Sequence, residues 1–229
     1  MDWYPENKEE LSSLVKKFLE KKNKKINGII VPHAGYYYSG KIAGKAYSYV
    51  KTKRAIILAP SHYFPLSNIV MHNKNSWKTP LGEIKVIQSE FEKKDISKEH
   101  AINNQIPFLQ ELGVKEILPL VVGEISLEEA LVIAKKIKDF DGVFIISTDL
   151  SHFLPYAEAV KKDKQTINII ENLDFKNINK IDACGIFPLL ITINLCKLKN
   201  WKPKLVEYKN SGDITGDKSS VVGYASFIF

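Results

Sequence analysis

Four short apolar runs constrain the fold of this chain more than any other feature. Each run is nearly continuous instead of alternating between apolar and polar residues. The runs are residues 26–31, 55–59, 117–122 and 143–146. Strands with this pattern are typical of a parallel sheet that is covered on both faces. The sequence therefore predicts a mostly parallel central sheet.

Helical patterns lie before, between and after these runs. The predicted helices are residues 7–22, 40–50, 97–112, 126–138, 156–172 and 185–198. A hairpin is predicted over residues 69–87, turning near 79–82, and two late strands over 204–208 and 221–229. Because strands and helices alternate, we expect an α/β fold with helices on both faces of the sheet. The sequence shows no internal repeat or flexible linker, which predicts one domain over residues 1–229.

Composition narrows the class of protein. Hydrophobic residues make up 45% and charged residues 26% of the chain, which is ordinary for a globular protein and too apolar for a disordered one. No apolar stretch is as long as a membrane span, and the first residues lack the layout of a secretory signal. We therefore expect a cytoplasmic protein with no membrane partner.

The net charge of +7 raises the question of nucleic-acid binding. All but one of the 33 basic residues are lysine, the exception being Arg54, whereas base recognition relies on arginine. The lysines near residues 16–25 flank an amphipathic helix, as on a solvated surface. The sequence argues against a nucleic-acid partner.

Three histidines follow the ends of predicted core strands. They are His33, His62 and His152, and Asp149 lies close to the last of them. In open α/β sheets the loops beyond the carboxyl ends of the strands form the ligand crevice. A single loop histidine is more often merely solvated, but three in equivalent positions favour a common site. Such a cluster is typical of metal binding or of general acid–base catalysis.

Cys184 lies at the start of the predicted helix 185–198. A helix amino terminus lowers the pKa of a thiol, which would favour the thiolate needed for metal binding, although a small buried side chain is the plainer interpretation. Cys196 shares an apolar helical stripe and is predicted to lie in the core. Two imidazoles and one thiolate would leave coordination positions open and would suit iron, copper or zinc. Metal affinity should then fall as the pH drops through about 6.5.

Two further histidines and an aromatic run are weaker candidates. His100 falls in the first turn of the predicted helix 97–112, where it would face either a site or the solvent. His72 lies in the predicted hairpin, where we expect no functional role. Residues 36–38 are three tyrosines that would line a pocket or simply pack. The sequence contains no nucleophile elbow, Walker loop or dinucleotide-binding glycine motif.

The sequence resembles the Memo family, whose bacterial and archaeal members are called AmmeMemoRadiSam system protein B. The resemblance covers about residues 28–229 and is carried by several motifs in order. The motifs are Pro32-His33-Ala34-Gly35-Tyr36, Pro60-Ser61-His62, Thr79-Pro80-Leu81-Gly82, Glu99-His100, Pro107-Phe108-Leu109, Ser147-Thr148-Asp149-Leu150-Ser151-His152, Cys184-Gly185, Ser211-Gly212-Asp213-Ile214-Thr215-Gly216-Asp217 and Val221-Val222-Gly223-Tyr224-Ala225. This combination is far more specific than any single motif.

The resemblance implies a fold related to the class III extradiol dioxygenases, which hold non-haem iron. It places metal ligands at His33, His62 and Cys184, with Asp149 and His152 beside them. The iron-bearing relatives carry a carboxylate where this sequence offers Cys184, and a thiolate also binds copper or zinc readily. Members are described as copper- or iron-dependent redox proteins, and eukaryotic ones as partners of phosphotyrosine peptides. The family name also implies partner proteins of the radical-SAM and AMMECR types.

The leading hypothesis is a metal-dependent redox enzyme of the non-haem oxygenase type, using iron or copper, with zinc as a further candidate. In this hypothesis His152 acts as a general base or proton shuttle, Asp149 orients or charges it, and His100 assists substrate binding. One alternative is a non-catalytic module that binds a peptide or protein with a vestigial dioxygenase pocket. Another is a zinc-dependent hydrolase. The substrate stays open.

Overall fold

The structure is a computed structural model that describes residues 3–229. Over those residues the chain forms an eleven-stranded mixed sheet. The strands are β1 (Gly28–Val31), β2 (Arg54–Pro60), β3 (Ile69–His72), β4 (Ser76–Thr79), β5 (Gly82–Val86), β6 (Glu92–Lys94), β7 (Glu116–Val122), β8 (Val143–Ser147), β9 (His152–Leu154), β10 (Lys204–Asn210) and β11 (Val221–Ile228). The main path runs β10-β11-β1-β8-β2-β7-β3-β6.

The helices surround this sheet. They are α1 (Lys8–Phe18), α2 (Tyr36–Tyr47), α3 (His100–Asn103), α4 (Ile106–Glu111), α5 (Leu127–Ile137), α6 (Tyr156–Asn172), α7 (Ile186–Lys199) and α8 (Ser211–Thr215), with a 3-10 helix over Phe175–Lys180. α7 packs against β2, β8 and α5, whereas α2 packs against β1, β10, β11 and α1. The predicted α/β class with a largely parallel centre is confirmed.

The centre of the sheet is a run of four parallel strands, β1, β8, β2 and β7. All four residues of β1 and all five of β8 are buried, which is the burial that their continuous apolar sequences predict. The register pairs Val31 with Ser147 and Pro60 with Val122. The chain therefore leaves β1, β8, β2 and β7 at one common edge of the sheet.

The boundaries of several elements differ from the prediction. α1 ends at Phe18 instead of residue 22, because its amphipathic repeat gives way to a lysine-rich stretch. The predicted helix 97–112 is divided into α3 and α4, and Pro107 lies in the first turn of α4, where its missing N–H costs nothing. The hairpin is confirmed for β4 and β5, but Ile69–His72 is a separate strand that pairs with β7 and β6.

Four short elements were not predicted from the sequence: β6, β9, α8 and the 3-10 helix Phe175–Lys180. Strands of three residues carry too little periodicity to be recognised. α8 is a helix of five residues that begins with a capping box between Asn210 and Asp213. In the described residues, no helix is both long and apolar enough to cross a lipid bilayer.

Candidate metal centre

Side chains from five loops and helix ends meet at the carboxyl edge of the parallel strands. His33 follows β1, His62 follows β2 and Asp149 follows β8. His100 is the first residue of α3, and Cys184 stands one residue before Gly185, the N-cap of α7. The sheet order places β8 between β1 and β2, so these chain segments converge although they are far apart in sequence.

His33, His62 and Cys184 form a group that could hold a metal ion. One ligand atom from each residue lies within 4.8 Å of the other two. The Nε2 atom of His33 is 3.3 Å from the Cys184 sulfur, and the two imidazole ring centres are 5.1 Å apart. His33 is buried, whereas 27% of the His62 side chain is exposed. The expected convergence of two imidazoles and one sulfur is therefore present in the structure.

Each imidazole of this group has a buried polar partner on its other side. The Nδ1 atom of His33 is 2.9 Å from the hydroxyl of Ser147, at the end of β8. The Nδ1 atom of His62 is 2.8 Å from Oε1 of Glu99, whose side chain is fully buried. Outer partners of this kind orient metal-binding histidines.

Asp149 lies beside the group but does not contact His152 through any described hydrogen bond. Its Oδ1 atom accepts the backbone N–H of His33 at 2.8 Å, and its Oδ2 atom is 3.9 Å from Nε2 of His33. Its own backbone N–H donates to the Cys184 sulfur at 3.3 Å. Burial raises the pKa of Asp149 to about 7. The carboxyl group therefore belongs to the surroundings of His33 and Cys184.

The predicted low pKa of Cys184 is wrong. Burial raises the pKa of this thiol, and the nearby carboxyl of Asp149 raises it further. The helix dipole does not compensate, because Cys184 precedes the N-cap and lies outside the first turn of α7. The thiol is therefore a weaker acid in these surroundings than an exposed cysteine.

The surroundings of His33 and His100 favour the neutral form of these two imidazoles. Burial lowers the pKa of His33 well below its ordinary value, and the neighbouring imidazoles lower it further. Burial and His62 together lower the pKa of His100 to about 4. A neutral imidazole is the form that binds metal. For His33 this shift moves the expected loss of metal binding to a pH below about 6.5.

His100 is packed more closely into the cluster than its sequence position indicated. Its ring centre is 4.4 Å from that of His62 and 5.3 Å from that of His33. The ring of Trp3 stacks on it at 4.1 Å with an angle of 10° between the planes. Together with His62 and Glu99 it forms a second group of ligand atoms within 4.8 Å.

His152 lies in β9 next to the cluster but is not in either group of three ligand atoms. β9 pairs with β11, and burial lowers the pKa of His152. The next residue, Phe153, has a left-handed backbone with φ of 58° and is 76% exposed. The role of His152 as a general base stays a prediction.

The remaining candidates lie outside this cluster. His72 is buried in β3 against Trp77, with ring centres 4.6 Å apart. Cys196 is fully buried in α7, as predicted. Tyr36 is buried and donates to the carbonyl oxygen of Asn104 at 2.8 Å, whereas Tyr37 is 73% exposed.

Two cavities lie near the cluster. One of about 390 Å³ includes Cys184 in its wall, together with Ser61, Phe64, Leu66 and Phe187. A second cavity of about 820 Å³ is lined mainly by aromatic and apolar side chains. Among them are Trp3, Tyr4, Phe18, Tyr36 and Tyr37.

Sequence reasoning missed three residues of the site: Glu99, Ser147 and Gln105. From the sequence, Glu99 was named only in the Glu99-His100 motif of the family resemblance. In the structure it caps α3 and also contacts His62. Two features of the sequence could have pointed to these residues: Ser147 lies at a strand end, and Glu99 is adjacent to His100. Neither pattern indicates which distant side chain the residue contacts.

Gly185 is expected to be required for the position of Cys184. A Cβ atom there would lie 2.5 Å from Cβ of Thr148 and 2.9 Å from the carbonyl oxygen of Ser147. Gly185→Ala should therefore displace Cys184, lower metal affinity and destabilise the fold by about 1–3 kcal/mol. Chelator competition and thermal unfolding would measure both effects. A second change, Thr148→Gly, should partly restore them, and unchanged binding in Gly185→Ala would contradict the expectation.

Comparisons with known sequences identify one family. A family model described as Memo-like protein matches residues 2–228. A MEMO1 family protein of Sulfurisphaera tokodaii is 38% identical and covers 87% of this chain and 81% of its own length. One from Aquifex aeolicus is 35% identical over 99% of this chain and 96% of its own length. One from Sulfolobus acidocaldarius is 36% identical over 87% of this chain and 81% of its own length.

Proposed function

The chain belongs to the Memo family, and from this membership and the geometry of its metal centre we propose a metal-dependent redox enzyme of the non-haem oxygenase type. The observation that carries the proposal is the convergence of His33, His62 and Cys184 within 4.8 Å. Three donors leave coordination positions open for a substrate, which is typical of catalytic sites and not of structural ones.

The residues present fit a redox-active transition metal. Two imidazole nitrogens and one sulfur suit iron, copper or zinc and disfavour magnesium or calcium. Two acidic groups, Glu99 and Asp149, are buried beside the donors and supply negative charge close to a bound cation. An iron or copper ion held there would supply one-electron redox chemistry. His33, His62 and Cys184 would hold it.

The chain's own residues divide the remaining tasks. Asp149, with a pKa of about 7, can hold or release a proton at Oδ2, 3.9 Å from Nε2 of His33. His152 is the second proton-transfer group of the proposal. His100 and Trp3 present stacked rings beside His62, where they can pack against a planar substrate and exclude water. The cavity at Cys184 is the proposed path of entry.

Metal analysis and oxygen uptake test this proposal. We expect protein purified without chelators or affinity metals to contain iron or copper by elemental analysis. Metal-free protein loaded anaerobically with iron(II) or copper should bind one equivalent and consume oxygen on exposure to air and a reductant. Binding well below one equivalent, or no oxygen consumption with either metal, would rule the proposal out.

A peptide-binding module is the second candidate, and the aromatic cavity of about 820 Å³ favours it. None of the proposed metal ligands lines that cavity. In this case partner binding should survive the loss of all three ligands, and no metal form should show turnover. The zinc-dependent hydrolase uses the same three donors, and esterase or amidase activity restored by zinc would distinguish it.

A further inference from the structure

The hydrogen bonds around His33 determine which of its ring nitrogens carries the proton. The Ser147 hydroxyl donates its single proton to the carbonyl oxygen of Ala101 at 2.7 Å. The Oγ atom of Ser147 is also 2.9 Å from Nε2 of Gln105 and 2.9 Å from Nδ1 of His33. Because the hydroxyl proton is already used, Ser147 accepts from His33, and Nδ1 carries the proton. The Nε2 atom therefore has a free lone pair that faces Cys184.

The orientation of Gln105 supports this assignment. Its Oε1 atom accepts from the Tyr47 hydroxyl at 2.9 Å, and its Nε2 atom donates to the carbonyl oxygen of Pro32 at 3.1 Å. The carbonyl of Pro32 can only accept a hydrogen bond, so the Gln105 atom that contacts it must be the amide nitrogen. The same nitrogen contacts the Ser147 hydroxyl and donates to it. Gln105 is fully buried, and its contacts leave it one orientation.

Glu99 fixes the proton of His62 in the same way. Its Oε1 atom is 2.8 Å from Nδ1 of His62, and its Oε2 atom accepts the backbone N–H of His62 at 2.8 Å. Its Oε1 atom also accepts the backbone N–H of Ala101 at 3.1 Å. Each oxygen of the Glu99 side chain therefore accepts a backbone N–H group. With both oxygens acting as acceptors, Nδ1 of His62 is the donor in the 2.8 Å contact and carries the proton.

We propose that Glu99 is a positioning residue of the metal centre, which holds His62 in the tautomer that presents Nε2 to the metal. With Ser147 acting on His33, both imidazoles then direct Nε2 lone pairs toward the sulfur of Cys184. This inference rests on the proposed metal function. A carboxylate, a histidine and a metal in a row form a recurring arrangement that raises the basicity of the ligand.

The burial of Glu99 supports the same role. Its side chain is fully buried, and its described partners are the imidazoles of His62 and His100 and backbone N–H groups, with no lysine or arginine among them. A buried carboxylate without a cation is costly. A metal ion bound at Nε2 of His62 would place positive charge on the other side of the ring from Glu99, which contacts Nδ1.

The group of His62, Glu99 and His100 could instead be a second cation site. The structure favours the positioning role, because the 2.8 Å contact between His62 Nδ1 and Glu99 Oε1 is a hydrogen bond and leaves no space for an ion between these atoms. His100 Nδ1 is 3.4 Å from the same oxygen. Metal stoichiometry separates the alternatives. One equivalent is expected if Glu99 is a positioning residue, and two equivalents are expected if the group is a second cation site.

The first test uses metal-free protein and nitrogen-15 NMR of the imidazole side chains. We expect His33 and His62 to be protonated at Nδ1 in the wild-type protein. Glu99→Gln should convert His62 into a mixture of tautomers and leave His33 unchanged, and Ser147→Ala should do the reverse. A wild-type His62 protonated at Nε2, or a Glu99→Gln variant with unchanged spectra, would overturn the proposal.

The second test measures metal affinity by chelator competition. Glu99→Gln should bind one equivalent with an affinity lowered by about 10–100-fold. Glu129→Gln is the matched control, because Glu129 is the capping carboxylate of α5 and lies outside the histidine cluster. An affinity within twofold of wild type, or two equivalents bound by wild type, would contradict the role of Glu99. Absent oxygen consumption would reject the redox function but would leave the tautomer result standing.

Discussion

Cys184→Ser is expected to lower copper(I) or iron(II) affinity by more than about 100-fold, which exceeds the effect of losing an outer partner of a ligand. The sulfur is 3.3 Å from Nε2 of His33, and it is the soft donor of the proposed set and the one that becomes anionic on binding. A serine hydroxyl in its place is a hard and weakly acidic donor. Competition with a chromogenic chelator would measure the change.

Cys196→Ala provides a matched control for this experiment. Cys196 is the other free cysteine of the chain and is fully buried in α7. Its loss should lower stability and leave metal affinity unchanged. The hypothesis fails if Cys184→Ser binds within about threefold of wild type while its thermal unfolding is unaltered. It also fails if Cys196→Ala, and not Cys184→Ser, loses the metal.

His33→Ala should have a similarly large effect on metal affinity for a different reason. It removes a buried, neutral donor that the Ser147 hydroxyl holds in place. The substitution leaves the donor group with only His62 and Cys184. Circular dichroism and the unfolding temperature would show whether the fold persists, since the substitution also removes the buried contact of His33 Nδ1 with the Ser147 hydroxyl.

The positions of the proposed ligands could be predicted because they depend on a general rule of sheet geometry. His33 and His62 follow strands whose apolar sequences indicate burial on both faces, and parallel strands end at one edge. The side-chain periodicity of α5 and its capping box at Ser126 were equally clear in the sequence. Local patterns of this kind determine local structure directly.

The contacts that complete the site could not be predicted in the same way. Glu99 reaches His62 across 37 positions, and Ser147 reaches His33 across 114. No local pattern encodes either pairing, because the Ser147 contact depends on β8 pairing with β1 and the Glu99 contact depends on α3 packing against β2. The pKa of Cys184 was predicted in the wrong direction for a related reason. The helix end is visible in the sequence, whereas the burial that outweighs it is not.

The raised pKa of Cys184 leads to the last expected result, which is a steep dependence of metal affinity on pH. In the metal-free protein burial keeps the thiol protonated near neutral pH, so binding of a cation must release that proton. One proton released corresponds to about a tenfold gain in affinity per pH unit, or about 1.4 kcal/mol. Affinity should therefore rise about 100-fold between about pH 6 and 8.

Asp149 adds to this dependence with the same sign. Its pKa of about 7 means that the carboxyl loses its proton within the measured range. The resulting negative charge lies near His33 and Cys184 and favours a bound cation. The slope should consequently exceed one proton near pH 7. His33 contributes little there, because its lowered pKa keeps the ring neutral at these pH values.

Calorimetric titration in two buffers of different ionisation enthalpy would count the protons released on metal binding. Cys184→Asp is the matched variant, since the ordinary pKa of a carboxyl lies well below that of a thiol and metal binding should release fewer protons. Asp149→Asn should remove the extra slope near pH 7 and leave the contribution of the thiol. Affinity that is flat between about pH 6 and 8, with no proton released, would mean that the sulfur of Cys184 does not bind the metal.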